Sequence, residues 1–154
     1  MTGSIEAKIQ AMGIALPAAA APAANYVPFM RTGNLLFTAG QLPLRDGKLI
    51  STGVVGLALD MAAGQEAARQ CAINILAQAR AALGSLDSVA RIVKITVFVA
   101  SEPGFTEQHL VANGASDLLA AVFGEAGRHA RSAVGVASLP LDAPVEIEAI
   151  IECK

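Results

Sequence analysis

The feature that most limits the possible folds is a strand pattern enclosed by two helical patterns. Residues 91–100 (RIVKITVFVA) are rich in β-branched side chains, which favour extended structure. Residues 60–83 and 106–123, on either side, repeat apolar side chains every three or four positions. Two amphipathic helices need a sheet against which their apolar faces can pack. The sequence therefore predicts a layered protein of helices and strands.

Four further segments are predicted to be extended: residues 34–39, 41–44, 131–137 and 145–152. An Asp-Gly pair at 46–47 predicts a tight turn after the second of them. The last segment alternates apolar and acidic residues, as a half-buried strand does, with Val145, Ile147, Ala149 and Ile151 against Glu146, Glu148 and Glu152. The order β-β-α-β-α-β-β, without internal repeats, predicts an α+β fold: one mixed sheet with both helices on one face.

The second face of such a sheet has no helix left to cover it. Of all residues, 54% are apolar and only 16% are charged. A face of Val, Ile and Ala would be unfavourable in water, so we expect the chain to bury it by associating with copies of itself.

Residues 1–24 are expected to form an extension, and residues 25–154 a single domain. Ser4 is predicted to cap a short helix over 5–12, which Gly13 ends. Prolines in and around residues 16–25 (LPAAAAPAAN) predict a stiff linker after it. The first 13 residues lack the pattern of a signal peptide, and no run approaches the roughly 20 apolar residues of a membrane span. A cytoplasmic protein without a membrane partner is expected.

Composition and motifs disfavour several classes of function. The net charge is −2, no run of five basic residues occurs, and aromatic residues make up 4%, so nucleic acid is not an expected partner. The two cysteines form no CxxC pair, and His109 and His129 lie twenty residues apart without an evident third ligand, so no metal is expected. Phosphate-binding glycine loops and the GxSxG and HExxH motifs are absent from the sequence, which gives no support for a cofactor.

Arg131 is the most informative polar residue of the sequence. It begins an apolar strand whose same face continues through three small residues, Ala133, Gly135 and Ala137. A guanidinium beside such small side chains can line a cavity and bind a carboxylate or phosphate through two parallel hydrogen bonds. The alternative is a structural salt bridge to Glu146, Glu148 or Glu152, which the spacing alone favours.

Glu146 and Glu148 lie two residues apart and therefore share one face of their strand. If that face is buried, at least one of them needs a partner or a raised pKa, which suits a general acid or base. If the face is exposed, both are ordinary surface carboxylates.

Three segments resemble the Rid family of reactive intermediate deaminases, also called the YjgF-like or endoribonuclease L-PSP family. They are residues 31–43 (RTGNLLFTAGQLP), 89–99 (VARIVKITVFV) and 130–150 (ARSAVGVASLPLDAPVEIEAI). The resemblance implies a chorismate-mutase-like fold, assembled as a homotrimer whose sheets form a barrel with clefts between subunits. It also implies hydrolysis of enamines and imines such as 2-aminoacrylate to 2-keto acids and ammonia, without a metal or organic cofactor.

The same resemblance assigns roles by position. Arg131 would hold the substrate carboxylate, and Glu146 would orient or activate water. Tyr26 would close the pocket, Gly40 would contribute backbone at the cleft, and Asn113 would line it. Ala133, at another pocket position, stands where many members carry cysteine.

Two further departures accompany Ala133: Ala39 replaces a frequent serine, and Gly135 a frequent glutamate. A roomier, less polar pocket is expected, and with it a different or larger substrate. A small-ligand-binding or regulatory member without turnover is the alternative to a deaminase. An endoribonuclease, which the older family name suggests, fits the acidic balance of the chain less well.

Overall fold

The structure is a computed structural model that describes residues 3–154. The helices and strands of this part of the chain follow one another as α1 (Ser4–Ala11), β1 (Phe29–Thr32), β2 (Leu35–Thr38), β3 (Leu44–Arg45), β4 (Lys48–Leu49), α2 (Met61–Leu83), β5 (Val89–Ala100), α3 (Gln108–Phe123), β6 (Ala130–Val136) and β7 (Val145–Cys153). Short 3-10 turns precede β5, β6 and β7.

Five of the strands form one mixed sheet in the order β1-β2-β7-β5-β6. β5 and β6 run parallel with α3 as their connection, and the other neighbours are antiparallel. β3 and β4 form a separate hairpin whose turn residues, Asp46 and Gly47, both have positive φ. This confirms the tight turn predicted at the Asp-Gly pair.

Both long helices pack on the same face of the sheet, which confirms the predicted α+β fold. The apolar residues that alternate along β7 are buried beneath them, together with Ile92, Ile95 and Val97 of β5. α2 and α3 also pack closely against each other, with Gly114 of α3 directly against the backbone of Gln65 in α2. This contact sets how closely the two helices approach each other.

The uncovered face of the sheet is not lined by Val, Ile and Ala alone, as was predicted. The alternating Val145, Ile147, Ala149 and Ile151 of β7 face the helices, whereas Ile150 lies on the other side with Glu146, Glu148 and Glu152. Exposed apolar side chains are nevertheless present on that side, at Met30, Phe37 and Val134. The uncovered face is therefore mixed, and association through it stays a prediction.

Polar residues on α2 also depart from expectation. Polar side chains usually stay outside the buried stripe of an amphipathic helix, yet Gln70 and Gln78 are buried, as is Asn74 between them. Their spacing of four residues places them on one face, where Gln70 and Asn74 donate to backbone carbonyls of the 42–44 segment. The accepting carbonyls are those of Leu42 and Leu44, which lie outside the five-stranded sheet, so these amides tie the 42–44 segment to α2.

The N-terminal helix begins one residue earlier than predicted. Gly3 is the N-cap residue and Ser4 is already helical, so Ser4 is not the cap. The Asp87 carboxylate caps the helix from a distance by accepting from the backbone N–H groups of Ser4 and Ile5, at 2.9 Å each. These hydrogen bonds lower the pKa of Asp87.

The N-terminal residues of the described chain pack against its core. Ile9 of α1 and Ile14 after it belong to the buried core, and Arg80 and Gln78 of α2 donate to backbone carbonyls of the proline-containing segment. Strand β1 was not predicted, because a four-residue edge strand that contains Arg and Thr has no buried alternation to mark it. Among residues 3–154, no helix combines the length and the apolarity needed to cross a bilayer.

Candidate functional site

Arg131 lies near the start of β6, at the edge of the sheet, and its side chain reaches α3. The Nη1 group donates to Asn113 Oδ1 at 2.9 Å and to Ser116 Oγ at 3.0 Å. The Nη2 group donates to the backbone carbonyl of His109 at 2.8 Å. These three α3 residues lie three and four positions apart, so one face of the helix holds the guanidinium.

The hydrogen bonds of Arg131 leave part of its guanidinium free. A guanidinium has five N–H groups, of which three are used by α3. The remaining two are on Nε and on Nη2, which are neighbouring nitrogens. Within residues 3–154 no carboxylate forms a salt bridge with Arg131, so the alternative of a pair with Glu146, Glu148 or Glu152 is not what this chain forms.

Ser116 connects Arg131 to a histidine. The Nδ1 group of His129 lies 2.6 Å from the Gly127 carbonyl, and its Nε2 lies 2.9 Å from Ser116 Oγ. A carbonyl can only accept, so Nδ1 carries the proton, and Nε2 of the neutral ring accepts from the serine hydroxyl. Burial, followed by the charge of Arg131, lowers the pKa of His129 against the opposing effect of the Gly127 carbonyl. We call Arg131, Asn113, Ser116 and His129 the arginine cluster.

A cavity of about 290 Å³ opens beside this cluster. Ser116, His129 and Arg131 line it together with Asp117 and Arg128. It is large enough for a small molecule of a few heavy atoms, and its position beside the edge strand β6 leaves it open to solvent.

Glu146 forms a second group with Gly40. Glu146 begins the outward-facing residues of β7, and its carboxylate lies so close to Gly40 that a side chain at position 40 would overlap it. Burial raises the pKa of Glu146, and the charge of Glu148 on the same face raises it further. The half-buried environment therefore matches the interpretation of Glu146 as an acid or base more closely than that of a surface carboxylate. We call Glu146 and Gly40 the glutamate pair.

Replacement of Gly40 by alanine tests the importance of this contact. The φ angle of Gly40 lies outside the left-handed region, so alanine fits its backbone, but the new methyl group displaces the Glu146 carboxylate. Because the displaced atoms are the flexible end of a side chain, we expect the free energy of unfolding to change by less than about 1 kcal/mol. Any activity that depends on Glu146 should fall roughly tenfold or more, because small misplacements of a catalytic group are costly. Chemical denaturation and steady-state kinetics on the same preparation separate the two effects.

The arginine cluster and the glutamate pair lie on opposite faces of the sheet in one chain. Arg131 is opposite the buried Ile95 and faces α3, whereas Glu146 is opposite Phe98 and faces away from the helices. Asn113 joins Arg131 directly, and Ala133 follows on the same face of β6. Tyr26, which is 47% exposed, precedes β1, and its hydroxyl accepts from the backbone N–H of Ala23. A single chain thus holds two separate halves of the predicted site.

The departure at Gly135 has a structural consequence. An added Cβ at this position would lie 2.7 Å from Gln108 Nε2 and 2.7 Å from Ser101 Oγ. The amide of Gln108 donates to the Phe105 carbonyl at 2.8 Å, which holds it over the glycine. Polar groups from two other elements therefore occupy the space next to this position, and a cavity of about 600 Å³ adjoins them.

The two cysteines, which could in principle bind a metal ion, are part of the packed interior. Cys71 and Cys153 are both free and buried, and burial raises the pKa of the Cys71 thiol well above its usual value. A buried, protonated thiol is a poor nucleophile and a poor metal ligand. Within residues 3–154, no three His, Cys, Asp or Glu side chains gather closely enough to hold a metal ion.

Sequence reasoning did not identify Ser116 and His129 as neighbours of Arg131. His129 was considered only as a metal ligand, and Ser116 was not considered. One signal was available: Ser116 lies three residues after Asn113, which puts both on one face of a predicted helix.

A mixed sheet with both long helices on one face defines the class of fold, and comparisons with known proteins define the family. The model of the family described as Endoribonuclease L-PSP matches residues 17–153. Protein TCP17 of Trypanosoma cruzi is 55% identical over 152 residues, which are 98% of this chain and 95% of that protein. This chain therefore belongs to the endoribonuclease L-PSP family, the Rid or YjgF-like family that its motifs resemble.

Solved structures agree with this assignment. The crystal structure of the protein Atu1372 from Agrobacterium tumefaciens has a TM-score of 0.92 and 56% identity, covering 97% of this chain and 92% of that one. The crystal structure of Escherichia coli TdcF with bound serine has a TM-score of 0.65 and 28% identity, covering 88% of this chain and 94% of that one.

Proposed function

We propose that this protein hydrolyses small enamines and imines of the 2-aminoacrylate type to 2-keto acids and ammonia, with Arg131 binding the substrate carboxylate. The observation that carries the proposal is the guanidinium held by three hydrogen bonds from α3, with two N–H groups on neighbouring nitrogens left over. A carboxylate accepts two such parallel bonds, and the absence of an acidic partner within residues 3–154 leaves the charge available.

The bound serine of TdcF supports a small carboxylate as ligand. Serine is an amino acid with one carboxylate and few other heavy atoms, and TdcF has the same fold as this chain. A ligand of that size fits within the cavity of about 290 Å³ beside Arg131.

The hydrolysis of an imine requires few catalytic groups from the protein. The carbon of an imine is already electrophilic, and water adds to it to give a carbinolamine, whose C–N bond then breaks to release ammonia and leave the keto group. In this proposal Glu146 takes a proton from the attacking water and returns one to the departing nitrogen. Its raised pKa makes it a better base than an exposed glutamate, and the rest of the rate gain comes from positioning the imine and the water.

The proposal includes a homotrimer with clefts between subunits. The arginine cluster and the glutamate pair face opposite sides of the sheet, so one chain cannot present both to the same small substrate. A neighbouring copy that brings its glutamate pair to the β6 edge would complete the site. The exposed Met30, Phe37 and Val134 on the uncovered face provide apolar surface for such an interface.

The proposal extends to the location of the protein. Two free, buried thiols agree with a reducing compartment, and the cytoplasm is the location proposed.

The test is the release of ammonia from 2-iminopropanoate generated in place by an amino-acid oxidase. The protein is expected to accelerate ammonia formation above the rate in buffer, in proportion to its concentration. Binding of 2-oxobutanoate without acceleration would favour the alternative, a ligand-binding member without turnover. Salt-sensitive binding and cleavage of RNA in the absence of imine hydrolysis would favour the endoribonuclease alternative.

The pH dependence of the reaction tests the role of Glu146. Because burial and then the charge of Glu148 raise the pKa of Glu146, activity should fall on the acidic side at a pH above the usual range of a glutamate. Glu148→Gln removes the nearby negative charge, lowers the pKa of Glu146 and should move this acidic limb to lower pH. The measurement is kcat/KM as a function of pH for the wild type and Glu148→Gln. If both proteins lose activity at the same acidic pH, either Glu148 does not affect the pKa of Glu146 or Glu146 is not the catalytic group.

A further inference from the structure

We propose that Ser116 and His129 are positioning residues that hold Arg131 in its carboxylate-binding orientation, and that a proton on His129 releases this hold. The effect on substrate binding rests on the proposed function, whereas the orientation of Arg131 by Ser116 and His129 does not. The direct evidence is a chain of hydrogen bonds that runs from the Gly127 carbonyl through His129 and Ser116 to Arg131.

The direction of this chain follows from its fixed end. The Gly127 carbonyl accepts from His129 Nδ1, so Nε2 is the acceptor for the Ser116 hydroxyl proton. With its proton directed at the histidine, Ser116 Oγ presents lone pairs to Arg131 Nη1 at 3.0 Å. The neutral imidazole therefore orients a serine that can only accept from the arginine.

The second Nη1 proton of Arg131 is held independently by Asn113 at 2.9 Å. Asn113 and Ser116 together fix the plane of the guanidinium, because the two Nη1 protons lie in that plane and point in different directions. Once this plane is fixed, the free N–H groups on Nε and Nη2 have a fixed direction as well. Loss of the serine contact leaves the plane determined only by Asn113 and the His109 carbonyl.

Protonation of His129 reverses one hydrogen bond of the chain, the one between His129 Nε2 and Ser116 Oγ. Nε2 then carries a proton, and Ser116 Oγ faces two cationic donors, His129 and Arg131, while its own proton has lost its acceptor. The remaining charged groups near the imidazole are Asp117 and Arg128, which line the same cavity, and Glu125, which is paired with Arg128 at 3.5 Å. Burial and the charge of Arg131 lower the pKa of His129, so the neutral form, and with it the oriented arginine, prevails at neutral pH.

Two substitutions of His129 separate this role from simple packing. His129→Gln places an amide oxygen at about the distance of Nε2 and can still accept from Ser116, but it cannot take up a proton. His129→Asn ends at about the position of Nδ1, keeps a donor for Gly127 and leaves Ser116 without an acceptor. Ser116→Ala removes the contact to Arg131 outright, and His129→Asn added to it should cause no further loss if histidine acts through serine.

Nuclear magnetic resonance of the Arg131 Nε–H group is the first readout, because it needs no substrate. In the wild type this signal should move with pH as His129 titrates, and in His129→Gln it should not move. His109→Asn, which changes the other of the two histidines, should keep the pH dependence of the wild type. An Arg131 Nε–H chemical shift that changes neither with pH nor with the His129 substitutions would overturn the inference.

Affinity for 2-oxobutanoate, measured by calorimetry, is the second readout. Ser116→Ala and His129→Asn should bind about tenfold more weakly at neutral pH, as expected for losing one hydrogen bond to a charged group. His129→Gln should bind like the wild type at neutral pH and more tightly than it below the pKa of His129. If the wild type does not bind this keto acid at all, the proposed function fails, and the resonance experiment still decides whether Ser116 and His129 orient Arg131.

Discussion

Arg131→Ala is expected to reduce kcat/KM for imine hydrolysis by roughly 100- to 1,000-fold, the cost of removing one partner of a hydrogen-bonded charge pair. The alanine variant has no donor for the substrate carboxylate, so the imine carbon is no longer held where water can reach it. The loss should appear largely in KM and in the affinity for 2-oxobutanoate, because the carboxylate is present in both the ground state and the transition state.

Arg131→Lys should recover little of this activity. A lysine ammonium keeps the charge but has no planar pair of parallel N–H groups, and its flexible stem cannot be fixed by Asn113 and Ser116 in the same way. Arg91→Ala is the matched control, since Arg91 forms only a surface ion pair with Glu152 at 3.8 Å. Equal kcat/KM values for the wild type and both Arg131 variants would show that this arginine does not bind the substrate.

Gly114→Ala is expected to destabilise the packing of the two long helices strongly. An added Cβ would overlap the backbone carbonyl oxygen of Gln65, and a backbone atom cannot rotate away as a side chain can. The two helices must therefore separate, which costs about 3 kcal/mol and lowers Tm by roughly 6–12 °C for a domain of this size. Because Gly114 lies next to Asn113 and near Ser116, the shift of α3 should also weaken carboxylate binding.

Gly64→Ala is the control for this prediction. Gly64 is also a helical glycine that faces the other helix, but a Cβ there would meet side-chain methyl groups of Val111 at 3.3 Å. The gain in helix propensity, about 1 kcal/mol, offsets the small adjustment of Val111, so Tm should change by no more than about 2 °C. Thermal unfolding followed by circular dichroism compares the two variants. Similar Tm values for both would mean that α2 and α3 do not pack as closely as Gly114 indicates.

Periodicity predicted the fold where one face of an element is buried and the other is not. The apolar repeat of α2 and the alternation along β7 gave both elements to within about one residue, because burial acts on every second or every third to fourth side chain. Periodicity does not explain the burial of Gln70, Asn74 and Gln78, whose side chains donate to backbone carbonyl groups of distant segments. No local pattern shows which distant carbonyls will need a donor.

The residues of the candidate site also differ in how far the sequence alone predicts them. Arg131, Asn113, Glu146 and Gly40 were predicted because they lie within, or match positions of, a family resemblance. Ser116 lies on α3 and His129 in the loop before β6, and both belong to the arginine cluster only because α3 packs beside β6. The distance between a helix and the strand that follows it cannot be deduced from the sequence. The placement of Arg131 and Glu146 on opposite faces follows from strand register, which the sequence left open.

A crystal structure of the protein with 2-oxobutanoate tests the central claim most directly. The account predicts the keto acid in the cavity beside Ser116 and His129, with its carboxylate bound by the Nε and Nη2 groups of Arg131, and with the Nη1 contacts to Asn113 and Ser116 preserved. It further predicts Glu146 of a neighbouring copy on the side of the keto carbon. A keto acid bound away from Arg131, or an Arg131 guanidinium that turns to pair with a carboxylate of the protein, would contradict the account.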